Sequence, residues 1–386
     1  MPREYTSIEM LDKLVSFDTV SSESNLNMIM FIKDYLYAHG IKSHLVFNDL
    51  KTKANLFAQV GPDLEGGVLL SGHTDVVPVK GQNWQTDPFK VKDKNNRLFG
   101  RGTCDMKGFN AIILAAVPTM IRNNLKKPVQ IALSYDEEVG CLGAPRMIKE
   151  IQSVLPKAAA AIVGEPTMLQ IVDGHKTSVG ITTQVRGFEV HSSLMHTGVS
   201  AVMNASKLVA WLAEQTEKNK RVLPVNESKQ FDPPYSTLHV GMIKGGTAGN
   251  ITAKDCKFSL DIRCLPGEDS ETWIEKYKSY VSLVEKEMKA INHDVEIKIE
   301  LAHFVPGLKP ENNGLAEQLV RKITRKNGTQ KVSYGTEAGQ YQKAGYSTII
   351  CGPGSIKQAH QPNEYIEKSQ IYEGEKFMSE LIKSIC

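Results

Sequence analysis

The stretch LLSGHTDVVP, residues 69–78, begins as a buried strand and ends by delivering a histidine and an acid two positions apart. Alternate side chains of an extended chain share a face, so His73 and Asp75 are expected to project the same way from the strand's carboxyl end. Open α/β sheets keep their sites at that end. Alone, the pair is also what a solvated turn looks like, so its meaning depends on what surrounds it.

Outward from this strand the chain alternates. KSHLVF (42–47), ANLFAQV (54–60), GVLLSG (67–72), VQIALSYDE (129–137) and AAAAIVGEP (158–166) read as strands. SIEMLDKLVSF (7–17), NLNMIMFIKDYLYAHG (25–40) and MKGFNAIILAAVPTMIRNN (106–124) read as helices. Such alternation predicts a sheet with helices on both faces. From about residue 178 the order becomes strand, helix, strand, strand, helix, strand, ending in DVEIKIELAHF (294–304). That βαββαβ order predicts a ferredoxin-like α+β unit. The α/β pattern resumes with GLAEQLVRKITRKNG (314–328) and STIICGPG (347–354). The expected organisation is therefore a discontinuous α/β domain, residues 1–177 and 308–386, interrupted by an inserted α+β domain at 178–307.

Composition narrows the class. At 386 residues the chain exceeds one ordinary core. Its 46 basic and 43 acidic residues leave a net charge of only +3, with no basic stripe suited to nucleic acid. The most apolar run, AIILAAVPTMI (111–121), is too short for a membrane span and contains Pro118. The first residues lack a secretory layout, which sets a cytoplasmic expectation. Six scattered cysteines without a C-x-x-C pair favour reduced thiols over disulfides or a structural zinc site.

Other predicted strand ends then give the histidine and acid their company. GRGTCDMKG (100–108) puts Asp105 in a glycine-rich turn before the buried helix, SYDEEVG (134–140) carries Glu137 and Glu138, VGEPT (163–167) carries Glu165, and QAHQPNEY (358–365) brings His360. Any one has an ordinary explanation: a helix cap for Asp105, a solvated turn for the glutamates, a loop residue for His360. Together they form an oxygen and nitrogen donor set suited to zinc or a related divalent metal. Two metals would account for the number of donors, with a carboxylate such as Asp105 bridging them and one acid and one histidine completing each position. Amide hydrolysis needs a nucleophilic water, a base, oxyanion stabilisation and protonation of the leaving amine. Neighbouring side chains on extended backbone diverge, so Glu137 and Glu138 can divide the base and ligand roles.

Residues 69–80, 99–110, 134–143, 162–167 and 352–365 resemble the signatures of the di-zinc aminoacylase and carboxypeptidase superfamily. The resemblance covers nearly the whole chain. YGTEAGQY (334–341) and GPGSIKQAHQPNEYI (352–366) look most like the acetylornithine deacetylase branch. It implies an α/β/α metallopeptidase domain with an inserted lid and dimerisation domain, two zinc ions per subunit with cobalt able to substitute, and hydrolysis of an N-acyl amino acid by a metal-bridging hydroxide. His73 would bind one zinc and Asp75 orient its ring. Asp105 would bridge, Glu165 would join His73, Glu138 and His360 would hold the second ion, and Glu137 would serve as base and later proton donor. The bond after the bridging aspartate is commonly cis in this family, so Asp105–Met106 is expected to be.

In the insert, FEVHSSLMHTGVSAVMNA (188–205) resembles the family's H-S-S segment. This implies that His191 reaches a neighbouring subunit's site to stabilise the oxyanion, and hence a homodimer. GTAGN (246–250) and DIRCLPG (261–267) make Asn250 and Arg263 candidates for the substrate α-carboxylate. Gly354 is a candidate for backbone contacts and Glu337 for the substrate amino group. Thr177 departs from the glycine often found after His-Lys, and His175 reads as structural. A thiol enzyme using Cys104 is disfavoured because an adjacent acid raises a thiol's pKa. A non-catalytic binding protein is disfavoured because no ligand position is lost. Within the family the open alternatives are succinyl-diaminopimelate, acetylcitrulline or a dipeptide as substrate.

Overall fold

Helix α1 (Ser7–Val15) opens under a capping box: the Glu9 amide donates to the Thr6 hydroxyl while the Thr6 amide donates to the Glu9 carboxylate. The structure is a computed structural model describing residues 2–224 and 228–386. After α1 come α2 (Leu26–Ala38), β1 (Ser43–Phe47), β2 (Ala54–Val60), β3 (Val68–His73), β4 (Lys92–Lys94), β5 (Arg97–Phe99) and α3 (Lys107–Arg122). Then follow β6 (Val129–Ser134), α4 (Ala144–Val154), β7 (Ala160–Pro166) and β8 (Ile171–His175). The middle of the chain forms β9 (Thr177–Arg186), α5 (Ala201–Lys220), β10 (Thr237–Gly245), β11 (Asp255–Cys264), α6 (Ser270–Lys289) and β12 (Glu296–Val305). It closes with α7 (Leu315–Thr324), β13 (Thr329–Val332), α8 (Ala338–Lys343), β14 (Ser347–Gly352), β15 (Tyr365–Glu367) and α9 (Lys368–Ser384).

The large sheet is mixed, in the order β1-β2-β6-β3-β7-β14-β8-β13. Strand β3 lies parallel to both β6 and β7, so three carboxyl ends emerge side by side. Alternation explains its two covered faces. Leu56 and Ala58 of β2 and Val68 and Leu70 of β3 join a core built with α1, α2, α3 and α9. From the opposite face, Ser71 of β3 meets Glu337 and Tyr341, and Asn55 of β2 donates to the Gly143 carbonyl ahead of α4. Strand β6 is buried throughout, its Gln130 and Ser134 included, because both faces are covered. Pro118 inside α3 has no amide to offer the Leu114 carbonyl, and the Tyr35 hydroxyl donates to it at 3.1 Å instead.

Several elements lay outside the sequence reading: α4, β8, α8, the C-terminal α9 and a three-stranded sheet β15-β5-β4. The last has a positional consequence. Asn95 and Asn96, both at positive φ, turn the β4–β5 hairpin, and β15 pairs with β5 in the register Tyr365↔Phe99. That pairing draws the loop ahead of β15, with His360, toward the glycine-rich turn after β5, with Asp105.

The chain divides into two compact units. One comprises Met1–Gly174, Leu308–Gln330 and Thr336–Cys386, and the other His175–Gly307 and Lys331–Gly335. The second contains a four-stranded antiparallel sheet, β10-β11-β9-β12, whose inward residues pack on α5 and α6. This is the strand order of the ferredoxin-like unit expected from the sequence. Residues 175–177 and 331–335, expected outside the insert, belong to it. Thr177 pairs with Cys264 and takes the Gly307 amide on its hydroxyl, while the Ser333 hydroxyl donates to the Asp232 carbonyl.

Candidate metal centre

His73 ends β3 with its ring 1% exposed. Its Nδ1 lies 2.9 Å from the Asp75 main-chain carbonyl, which can only accept, so Nδ1 carries a hydrogen and Nε2 is the ring atom turned toward the acids. Nε2 faces Asp105 Oδ1 at 3.0 Å and Glu165 Oε1 at 3.9 Å. The other oxygen of Asp105, Oδ2, lies 3.3 Å from His360 Nε2, and that nitrogen is 2.9 Å from Glu138 Oε2. The two oxygens of Asp105 therefore address two donor sets. His73, Glu137 and Glu165 also lie within metal-ligating distance of one another, as do His73, Asp105 and Glu138. The Asp105–Met106 peptide is cis.

The Asp75 carboxylate does something other than the ring contact expected of it. It stands 3.7 Å from His73 Nδ1 and accepts instead from the amides of Glu137 (3.1 Å) and Glu138 (3.2 Å) and from the Ser21 hydroxyl (2.7 Å). Its main chain aims the histidine, and its side chain fixes the turn that carries both glutamates. On the far side of His73, Asn110 of α3 donates to the His73 carbonyl at 2.6 Å. Glu137 Oε1 accepts from the Cys141 thiol at 3.2 Å.

Electrostatics tests whether these residues suit a metal. Burial first, and then the neighbouring acids, push Glu137 up to about 8, against partial relief from His73. Glu138 is pushed up to about 7 by burial and by Asp105, and Glu165 is raised well above its ordinary value for the same reasons. Burial would also raise Asp105, but its bonds to His360 and His73 outweigh that and hold it low. His360 is lifted to about 10 by its bonds to Asp105 and Glu138. Burial would depress His73, but Asp105 and the acids around it leave it well above its ordinary value. Carboxylates that resist ionising beside histidines that retain protons mark a site short of positive charge. Four carboxylates at formal −4 match two divalent cations, and the oxygen and imidazole donors suit zinc.

A pH dependence follows. The folded pKa values of Glu137, Glu138, His73 and His360 all exceed their ordinary ones. The folded chain therefore keeps protons that the unfolded chain releases, and its stability falls as pH rises from about 5 toward 8. The metal-stripped chain should show a falling Tm across that window, and added Zn2+ should raise Tm more at the upper end. A metal-free Tm that rises with pH would contradict this charge assignment.

The remaining candidates are placed as follows. Glu337 is 1% exposed beneath β3, where the Ser71 hydroxyl donates to its Oε2 at 3.1 Å, and burial raises its pKa. Gly354, at φ +84°, gives its amide to Gln370 and its carbonyl to the Met168 amide, so both backbone groups are engaged. In the second unit, His191 is exposed with Nδ1 2.8 Å from the Ser193 hydroxyl, and the Ser192 amide donates to the Asn250 carbonyl, bringing His191 and Asn250 together. Arg263 pairs across the sheet with Ser178 and is held at Nε by Asp261 at 3.0 Å. His175 is fully buried and driven down to about 4 by burial, as befits a structural residue. Cys104 is buried with its thiol pushed well up by burial and by Glu364, which disfavours the thiolate that a nucleophile needs.

Sequence reasoning missed the residues behind the donors: Ser21 and Asn110, and Arg101 and Glu364, a pair 2.6 Å apart and each 1% exposed. Arg101 and Glu364 stand inside the same stretches that supplied Asp105 and His360, and an arginine and an acid in two such loops were the available signal.

Residues 69–384 match the profile of peptidase family M20/M25/M40. An acetylornithine deacetylase of Pasteurella multocida (strain Pm70) is 31% identical over 387 residues, spanning 98% of each chain. Among solved structures, a family M20 metallo-carboxypeptidase from Sulfolobus solfataricus superposes with a TM-score of 0.78 at 19% identity, covering 98% of this chain and 99% of that one. A dinuclear metal-binding M20 peptidase of Bacillus subtilis superposes at 0.65 with 14% identity, covering 98% and 97%. At those identities the structural likeness establishes the fold alone.

Proposed function

The chain belongs to peptidase family M20/M25/M40, a family of amide hydrolases, and from that premise we propose that it is a two-zinc N-acyl amino acid deacylase whose substrate is N2-acetyl-L-ornithine. The observation that carries the chemistry is Asp105, whose Oδ1 faces His73 and whose Oδ2 faces His360. The substrate rests on the full-length likeness to an acetylornithine deacetylase.

His73, Asp105 and Glu165 would hold one zinc, and Asp105, Glu138 and His360 the other, with cobalt able to replace it. When bound, such ions lower the pKa of water and polarise the amide carbonyl. Glu137 accepts the proton of the attacking water and returns it to the leaving amine nitrogen. Asp75 keeps Glu137 and Glu138 in register through their amides. His191 donates to the developing oxyanion across a homodimer formed through the insert, a role that a fully active monomer would contradict. Asn250 and Arg263 receive the α-carboxylate. Glu337 recognises the distal amino group, and unchanged kinetics of Glu337→Gln with acetylornithine would remove it from that role. The product would feed arginine synthesis in the cytoplasm. Among the described residues, no helix is long and apolar enough to cross a membrane.

The test is an initial-rate comparison of metal-stripped protein reloaded with zinc or cobalt. Its substrates are N-acetyl-L-ornithine, succinyl-diaminopimelate, acetylcitrulline and a dipeptide. Metal-dependent preference for acetylornithine is expected; preference for another amide would overturn the substrate while keeping the chemistry.

A further inference from the structure

His360 is the odd member of the donor set. Its side chain is 53% exposed, it lies on a loop, and it sits at φ +63°, a conformation uncommon for residues other than glycine. Its ring reaches Asp105 and Glu138 through Nε2, while the exposed loop that carries it is held by bonds from other segments. Arg101 occupies the middle of such a restraint. Its guanidinium donates to Glu364 Oε2 at 2.6 Å, to Gln82 Oε1 at 2.6 Å and to the Gln361 carbonyl at 3.3 Å. Glu364 turns its other oxygen to the amides of Cys104 (2.9 Å) and Asp105 (3.1 Å). Gln82 turns its amide nitrogen to the His360 carbonyl at 2.9 Å. The Trp84 indole donates to Gln82 Oε1 at 3.1 Å, and the Arg101 guanidinium lies 5.1 Å over that ring.

We propose that Gln82, Arg101 and Glu364 form a clamp that sets the distance between Asp105 and His360, and thereby the affinity of the metal position these two share with Glu138. The logic is in the connections. Glu364 fixes the main chain of Asp105, Gln82 fixes the main chain of His360, and one rigid, always charged guanidinium joins the two. Charge-assisted bonds at 2.6 Å to two acceptors leave little play between the loops. These are positioning residues, and the inference rests on the two-metal reading given above.

Arg101 and Glu364 are too deeply buried to exchange safely, since removing either strands the other's charge. Gln82 is only partly buried and can be changed. Gln82→Ala removes all three of its side-chain bonds, whereas Gln82→Glu keeps an acceptor for Arg101 and Trp84 but loses the donor to the His360 carbonyl. Metal-stripped protein would be titrated with Zn2+ against a chromophoric chelator. Wild type is expected to take up two ions, and both variants should bind one of the two about 10- to 100-fold more weakly, with the other unchanged. Two ions bound at wild-type affinity in both variants would overturn the clamp alone. Equal weakening at both positions would also overturn it, because that is what general loosening produces. A wild type that takes up fewer than two ions would overturn the two-metal reading and the clamp with it.

Discussion

Glu137→Gln is expected to lower kcat by about 10³-fold, within the 10²–10⁴ range typical of a lost general acid–base group, while metal content and KM stay near wild type. The side chain is the right shape to test. Glutamine fills the same volume and can accept the Cys141 thiol as Glu137 Oε1 does at 3.2 Å, but it cannot take a proton from water. Its main-chain bond to Asp75 is untouched by the exchange, so Glu138 stays in place. Removing one carboxyl from a cluster in which burial and neighbouring acids raise the pKa of Glu137 should also leave the metal-free fold at least as stable. Kinetics combined with metal analysis by mass spectrometry checks this. Retention of kcat would remove Glu137 from the base role, and loss of metal would make it a ligand instead.

Asp105→Ala should behave in the opposite way, losing both metals and all measurable turnover. The two carboxylate oxygens reach different histidines, at 3.0 and 3.3 Å, so a single exchange leaves each position with one acid and one imidazole. Polarisation and water activation by the ions are each worth several kcal/mol, so the rate should fall at least about 10³-fold. Dialysed Asp105→Ala protein should hold less than one ion per chain. Two ions retained would show that Asp105 is not shared. The pair of variants separates the two roles: Glu137→Gln keeps its metals without turnover, and Asp105→Ala keeps neither.

Most of the candidate donors were legible because they sit at or just after the end of a strand or at the start of a helix, where local pattern fixes position. His73 ends a fully buried strand, Glu165 lies in β7 just before Pro166, and Asp105 precedes the buried helix α3. What holds them was not legible. Ser21 reaches Asp75 across 54 positions, and Arg101 reaches Glu364 across 263, through pairings such as β5 with β15 that are too short to leave a periodic signal. The role of Asp75 was only partly readable for a related reason. Alternation places its side chain on the face of His73, yet the amides of Glu137 and Glu138 compete for that carboxylate and win. Glu337 illustrates the reverse limit: its sequence neighbourhood suggests a substrate contact but carries no sign that the side chain is 1% exposed and bonded by Ser71 of β3. The inserted unit was readable as a whole because βαββαβ order and clean alternation, as in Phe258, Leu260 and Ile262 of β11, are long-range information written locally.

The central claim is that two metal ions share Asp105. Crystals of zinc-loaded protein, with anomalous data collected on both sides of the zinc edge, test it most directly. The account predicts two peaks per chain about 3.5–4 Å apart, with Asp105 between them, one beside His73 and Glu165 and the other beside Glu138 and His360. A single peak, or two peaks that Asp105 does not join, would contradict it.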